Sequence, residues 1–349
     1  MDTKQQFLSL CYHYIRPDEG DVFSDVLGAT ESELIAQIDE LEKHYDVISP
    51  DDVGRFFGGE ELDIQNDGLL FTFDDGLEDH YRAAKLLAKR GIKALFFIPT
   101  CIVLDKLPAN PTITHYFFAM YRVDGFIEAF NEAWESIKPD VVHPDFQYSK
   151  GKDDVWKVIG VIKQYLKYGL KPDVTREILL HMYDTWMLRD RPDMFEVMHL
   201  THEQINEMIE MGHMLGTHSH THISVAAHEL SEEVFQKEII EPKKILEDTF
   251  GCEVSALSYP FGKVEDCLKA GSLLEKTSEY TQAYTVNQIV NTRAASPFEI
   301  GRYMPLSIDY PERLLNILDL MKQGRGHEVV QVKGPKTNVN VNPVNNMSP

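Results

Sequence analysis

The chain has 349 residues, 43% of them hydrophobic and 26% charged, enough for a sizeable core in one large domain or one domain with an insertion. A formal net charge of −22 argues against nucleic acid and against anionic membrane surfaces as partners. No apolar run approaches the roughly 20 residues that cross a bilayer, and four scattered cysteines (Cys11, Cys101, Cys252, Cys267) read as reduced thiols, neither a disulfide frame nor a zinc knuckle.

In chain order, the N-terminus carries one Lys and a short apolar patch without the longer apolar core of a secretory signal, so the expected location is cytoplasmic. Phe7–Tyr14 is a short strand candidate. Residues 31–45 place apolar side chains at 34, 35, 38 and 41 behind an acidic first turn, which predicts a helix. Asp67 and Gly68 make a turn into a compact buried strand, Leu69–Phe73. Leu77–Arg90 reads as a helix stopped by Gly91, and Ala94–Ile98 as another buried strand. This alternation predicts an α/β protein with a mostly parallel sheet. From about Lys106 to Val197 the character changes to aromatic-rich helical segments broken by Pro, Gly and Asp, read as a helical insertion between two βα units. Thr201–Met211 is then a helix, followed by a short strand and a histidine cluster. Leu230–Phe250 is a helix ending at Gly251, Val254–Tyr259 a strand, Ala283–Val286 and Glu299–Met304 late strands, and Pro311–Gln323 a last helix. From Gly324 the apolar periodicity is lost, and a disordered tail is expected. The expected division is a discontinuous catalytic unit, 1–105 with 198–323, an insertion, 106–197, and a tail, 324–349.

Three motifs carry chemistry. Thr72-Phe73-Asp74-Asp75-Gly76 follows a buried strand, and side-chain alternation points the two carboxylates in different directions, so one can bind a metal while the other faces an attacking water. Gly216-Thr217-His218-Ser219-His220-Thr221-His222 packs three histidines into five residues, and imidazole is a common ligand for zinc-like ions. His218 and His222, four apart, are expected on one side of a helical turn. Asp75 would complete a two-His, one-carboxylate site with positions left open. His220 then points elsewhere, as a supporting or structural residue. His44, His80, His115 and His181 need no role. Ser258-Tyr259-Pro260-Phe261-Gly262 ends a predicted strand; alone it is a loop, and its value lies in its order after the other two.

Taken together, TFDDG, then H-S-x-x-H, then a strand ending in Y-P-F-G resembles the polysaccharide deacetylase family, carbohydrate esterase family 4. The likeness extends through roughly residues 7–100 and 200–310. It implies a distorted (β/α) barrel with its site at the C-terminal strand ends, as is general for such barrels, here with a helical insertion. It also implies that Asp75, His218 and His222 bind the metal, that Asp74 is the general base taking a proton from the attacking water, and that backbone around Tyr259, Pro260 and Phe261 lines the acyl pocket and helps hold the oxyanion. Zinc is the first expectation for the one divalent ion, with cobalt, nickel or iron accepted by the same ligands.

Two departures from the family pattern matter. Ser258 stands where an Arg commonly holds the base carboxylate, and no late Leu-x-His motif supplies a general acid, His327 lying in the expected tail. A permuted subgroup that includes poly-N-acetylglucosamine deacetylases takes its acid from an N-terminal Tyr-His segment, which resembles Tyr12-His13 here and implies His13 as the acid. Arg302 is the candidate to replace the missing Arg by pairing with Asp74. The expected activity is metal-dependent removal of an N-acyl group from an amino sugar in a glycan or its precursor. Within the same chemistry stands a deformylase or other amidohydrolase on a lipid- or nucleotide-linked sugar. In another class stands a non-catalytic relative that binds glycan or protein. The insertion could cap the cleft and select substrate, or form an oligomer interface.

Overall fold

Along the chain the strands are β1 (Gln6–Tyr12), β2 (Ile15–Arg16), β3 (Ala29–Thr30), β4 (Asp46–Val47), β5 (Gly68–Phe73), β6 (Leu95–Ile98), β7 (Met214–Thr217), β8 (Ala256–Ser258), β9 (Gln282–Tyr284) and β10 (Asn291–Thr292). The helices before the aromatic-rich region are α1 (Glu31–Leu41), α2 (Pro50–Phe57), α3 (Asp79–Lys89) and α4 (Cys101–Leu104). Within it are α5 (Asn110–Ile137), α6 (Val155–Gln164), α7 (Pro172–Met182), α8 (Leu188–Asp190) and α9 (Met194–Met198). After it come α10 (His202–Glu210), α11 (Glu232–Phe235), α12 (Glu241–Phe250) and α13 (Pro311–Lys322). This computed structural model describes residues 5–269, 272, 277–306 and 309–331.

The sheet runs β10-β1-β5-β6-β7-β8-β9, with β4 also on β5. Every neighbouring pair from β1 to β9 is parallel, and only β10 joins β1 antiparallel. A parallel strand covered on both faces needs a continuous apolar run rather than alternation, and β5, GLLFTF, is buried at every position. Glu299–Met304, expected as a strand, forms none. Ile300 instead bridges Tyr284 of β9 and Tyr303 bridges Leu10 of β1, both parallel, so the sheet curls round to its first strand through two single-residue bridges. The result is a curled, largely parallel α/β sheet, in line with the expected distorted (β/α) barrel.

The helices start where local chemistry dictates. Thr30 and Glu33 form a reciprocal capping box at α1, as do Thr201 and Gln204 at α10. Gly91 takes φ +73° just after α3, where a left-handed residue ends the helix. The apolar faces of α1, α3, α10, α12 and α13 meet the outer face of the sheet in one core that holds Leu34, Ile38, Leu87, Met208, Leu246 and Ile317. Residues 236–240, expected inside one long helix, form a π-helical turn between α11 and α12.

The aromatic-rich region builds a core of its own around Phe117, Phe126, Phe130, Trp134, Ile178 and Met182, which also takes in Tyr14, Phe23 and Leu77 beside the strand ends. Helix α5 is kinked at Arg122, whose φ is +61°. At the other end of the chain, Gly326–Gln331 folds into a 3₁₀ turn where a disordered tail was expected. The rest of that expected tail, 332–349, lies outside the described residues.

Candidate active site

Four parallel strands deliver the site from their C-terminal ends. β1 runs into His13, β5 into Asp74 and Asp75, β7 into His218, and β8 into Tyr259. The ladder continues one step past the strands: the Asp74 amide donates to Tyr12 O at 3.0 Å and the His218 amide to Ile98 O at 3.1 Å. The backbone then turns sharply. Asp75, Ser219, His222 and Phe261 all have φ between +56° and +86°, a region that costs a non-glycine residue of order 1–3 kcal/mol and that clusters at functional sites. Gly76, at φ +60°, follows Asp75, and a β-carbon there would stand 2.6 Å from Ile102 Cδ1.

Asp75, His218 and His222 come together, each offering one donor atom within 4.8 Å of the others, all buried. Nε2 of His218 lies 3.3 Å and Nε2 of His222 3.2 Å from Asp75 Oδ1. The Nδ1–H of His218 donates to Ser258 O at 2.8 Å, which leaves the Nε2 lone pair of a neutral ring facing the carboxylate. Neither oxygen of Asp75 and neither ring nitrogen of His222 has a hydrogen bond among the described residues. Buried lone pairs aimed at one another are unfavourable unless a positive charge lies among them. Asp75 has no Lys or Arg within ion-pair distance among the described residues, and burial, which pushes a carboxyl up, is overridden by His222 and His218, so that it stays well below the usual range. Burial pushes the His218 ring down, but Asp74 and Asp75 outweigh it and draw the ring upward, toward holding a proton. The pocket asks for a cation, and its donors, two imidazoles and a carboxylate with room left open, fit a divalent ion of the zinc type.

The two histidines do not reach this place by helical spacing. Residues 218–222 form a loop, its left-handed residues at 219 and 222 folding His222 back beside His218, with the rings edge to face at 4.6 Å between centroids. The loop is pinned from outside. Amides of Thr100 and Cys101 donate to the carbonyls of Ser219 and His220. Glu238, on the π-helical turn, accepts from the amides of His220 and Thr221 and from the Thr221 hydroxyl. His220 points away, its Nδ1 at 2.9 Å from Thr100 Oγ1 and its Nε2 at 3.1 Å from Asp105 Oδ2.

Asp74 is clamped from the far side. Arg302, fully buried, donates from Nη1 to Oδ1 at 2.8 Å and from Nη2 to Oδ2 at 2.7 Å. Its remaining donors reach Thr72 Oγ1, Ser258 Oγ and Thr285 O. Ser258, noted in sequence only for not being Arg, donates its hydroxyl to Asp74 Oδ2 at 3.0 Å. Burial pushes the Asp74 carboxyl up, but Arg302 and His218 hold it well below the ordinary range, so it stays ionised.

His13 stands at the rim, its Nε2 4.0 Å from Asp75 Oδ2 and its Nδ1 4.0 Å from Cys11 Sγ. Burial pushes this imidazole down against the pull of Asp75 and Asp74. Its backbone is held by His80, whose Nε2–H donates to His13 O at 3.0 Å while Nδ1 accepts from the Leu77 amide. His199 does the same for the carboxylate turn, donating from Nδ1 to Gly76 O at 3.1 Å and accepting the Ala109 amide at Nε2. His80 and His115, assigned no role from sequence, are both part of the site's surroundings. His115 lies between Tyr14 OH, 3.0 Å from Nδ1, and Lys163 Nζ, 2.8 Å from Nε2.

Of the expected acyl-pocket segment, only Phe261 lines the cleft beside the triad, together with His222, Ile223 and residues of α5, α6 and α7; Tyr259 and Pro260 do not. The Tyr259 amide donates to Tyr284 O within the sheet at 3.0 Å. No helix among the described residues is long and apolar enough to cross a membrane.

No curated protein matches the chain in sequence. Residues 180–275, a span that holds His218, His222 and Tyr259–Phe261, match the family model for polysaccharide deacetylase. Among solved structures, Streptococcus pyogenes deacetylase PplD, in complex with acetate, superimposes with TM-score 0.55 at 17% identity, covering 90% of this chain and 98% of that one. IcaB from Ammonifex degensii gives 0.50 at 17%, covering 88% and 95%, and the polysaccharide deacetylase BC0361 from Bacillus cereus gives 0.51 at 15%, covering 90% and 69%. The chain thus carries a polysaccharide deacetylase match over residues 180–275 and shares the fold of these solved deacetylases along nearly its whole length.

Proposed function

We propose that the protein is a metal-dependent hydrolase that removes an N-acyl group, acetyl first, from an amino sugar of a glycan or glycan precursor. The observation that carries this reading is the pairing of two buried units. Asp75, His218 and His222 offer donors to one point, and beside them stands Asp74, kept ionised by Arg302. A divalent ion held by the three ligands supplies Lewis acidity toward the acyl carbonyl and lowers the pKa of water. Asp74 is the base: its carboxylate faces the same pocket, 3.9 Å from His218 Nε2, and takes the proton of the attacking water. Arg302 and Ser258 are positioning residues that fix the carboxylate plane. His13, on the opposite rim and close to Asp75, delivers a proton to the departing amine; His80 holds its backbone for that purpose. Phe261 shapes the wall against which the acyl group packs.

The test is elemental analysis of the purified protein together with release of acetate or formate from N-acetylated and N-formylated glucosamine oligomers. One bound divalent ion with acetate release is the expected result, and formate release in its place moves the acyl group assignment. Stoichiometric metal without turnover on any acylamino sugar would falsify the enzymatic reading and leave a binding module.

A further inference from the structure

The cleft beside the three candidate ligands has one wall that the barrel does not make. Across it from His222 and Phe261 stand Lys163 and Lys167, on α6 and on the π-helical turn Tyr165–Gly169 that follows it. These two lysines are treated very differently. Lys167 is matched: its Nζ lies 2.8 Å from Asp266 Oδ2 and 3.9 Å over the Phe261 ring. Lys163 has only the neutral ring of His115 at 2.8 Å and no carboxylate within 4.0 Å among the described residues.

That is unusual in a chain with 56 acidic and 34 basic residues. A half-buried ammonium with no carboxylate in direct contact is costly; burial pushes this one down to about 8 against the longer-range pull of Asp75, so it still carries charge near neutral pH. A lysine has three donors, and His115 uses one. Several other polar groups on the wall are already committed. The hydroxyls of Thr114, Thr175 and Ser224 donate to Asn110 O, Leu166 O and Asp266 Oδ1, and His228 Nε2 lies 3.1 Å from Lys167 O. Among the described residues that line the cleft, Lys163 is therefore the cation without a carboxylate partner, with two spare N–H groups, held in place by the His115–Tyr14 pair behind it.

We propose that Lys163 is a specificity-determining residue that binds an anionic substituent, a carboxylate or a phosphate, carried by the acylated sugar whose acyl group lies at Asp75, His218 and His222. This names the substrate class and rests on the deacylase reading above. A neutral poly-N-acetylglucosamine chain would leave the cation without a partner; an acidic sugar or a sugar phosphate satisfies it.

Calorimetric titration of the zinc-loaded protein with deacylated sugars reads binding without turnover. Muramic acid supplies the carboxylate arm, glucosamine 6-phosphate the phosphate arm, and glucosamine is the neutral control. At least one anionic sugar is expected to bind roughly tenfold or more tighter than glucosamine, the scale of one charge-assisted contact. Lys163→Met should abolish that preference and leave glucosamine binding within about twofold, while Lys163→Arg, which keeps the charge, retains part of it. In kinetics on the corresponding N-acetyl sugars, Lys163→Met should raise KM for the anionic substrate and change kcat little. No preference in the wild-type protein, or a preference that survives Lys163→Met, overturns the proposal. A Lys163-dependent preference with no turnover of any acylamino sugar upholds the anion site and overturns the deacylase reading instead.

Discussion

The two walls of the cleft are built on opposite principles. On the barrel side each candidate catalytic group leaves the end of a parallel strand and is held by hydrogen bonds from its neighbours: Asp74 by Arg302 and Ser258, the 218–222 loop by Glu238 and the start of α4, the Asp75–Gly76 turn by His199. On the helical side the wall is fixed by apolar packing around Phe117, Phe126 and Phe130, with a kink in α5 and π-helical turns setting where polar side chains emerge. The barrel side concentrates charge and tolerates no slack, because every buried ion needs its partner. The helical side concentrates volume. On the proposed reading, reaction and selection rest on different physics.

The largest expected effect breaks the barrel wall from within. His218→Ala should abolish both metal retention and turnover, whereas Asp74→Asn should cut kcat by about 10²- to 10⁴-fold with metal retained. Metal stoichiometry measured beside acetate release separates the two, and loss of metal in Asp74→Asn would remove the distinction between ligand and base. Next, Arg302→Met strands a buried carboxylate and should cost about 3–5 kcal/mol in denaturant unfolding, part of it recovered when Asp74→Asn is added. An unchanged unfolding midpoint would show that the ion pair does not hold the barrel wall. Phe126→Ala should lose a similar about 3–5 kcal/mol by leaving a cavity, yet keep metal stoichiometry; loss of metal there would show that the two walls are not independent.

A smaller effect concerns acid stability. Burial pushes His80 down from 6.5 to about 3 and His199 to about 4. Both are neutral in the folded protein while the unfolded chain takes up protons below about 6.5, so stability falls as pH is lowered from there toward 4 and 3. His80→Gln should make that acid limb shallower in urea unfolding measured from pH 7 to pH 4, and an unchanged slope would contradict the assignment. The smallest effect is at Tyr259, whose buried hydroxyl has no hydrogen-bond partner among the described residues. Tyr259→Phe should shift stability by no more than about 1 kcal/mol, in the stabilising direction; a loss of several kcal/mol by thermal unfolding would reveal a partner for that hydroxyl.

Local patterns were enough to read the strands that end at His13, Asp74 and His218 and the stop of α3 at Gly91, because buried parallel strands and glycine helix ends are written in consecutive residues. The same motifs named the residues that converge, Asp75 with His218 and His222, and the pairing of Arg302 with Asp74 was a candidate from its place near a late strand end. What local pattern could not reach was the route. The histidines meet through left-handed residues in a loop, and the ring of strands closes through two bridges at Ile300 and Tyr303, neither of which leaves a periodic signature. Glu238, His80, His115 and His199 support the site from positions that sequence gave no reason to single out, since each acts on a group distant along the chain. Lys163 is the clearest case. Only tertiary packing decides whether a lysine on a helix meets a carboxylate, water or a substrate, because the energy of a charge depends on what surrounds it and not on its neighbours in the chain.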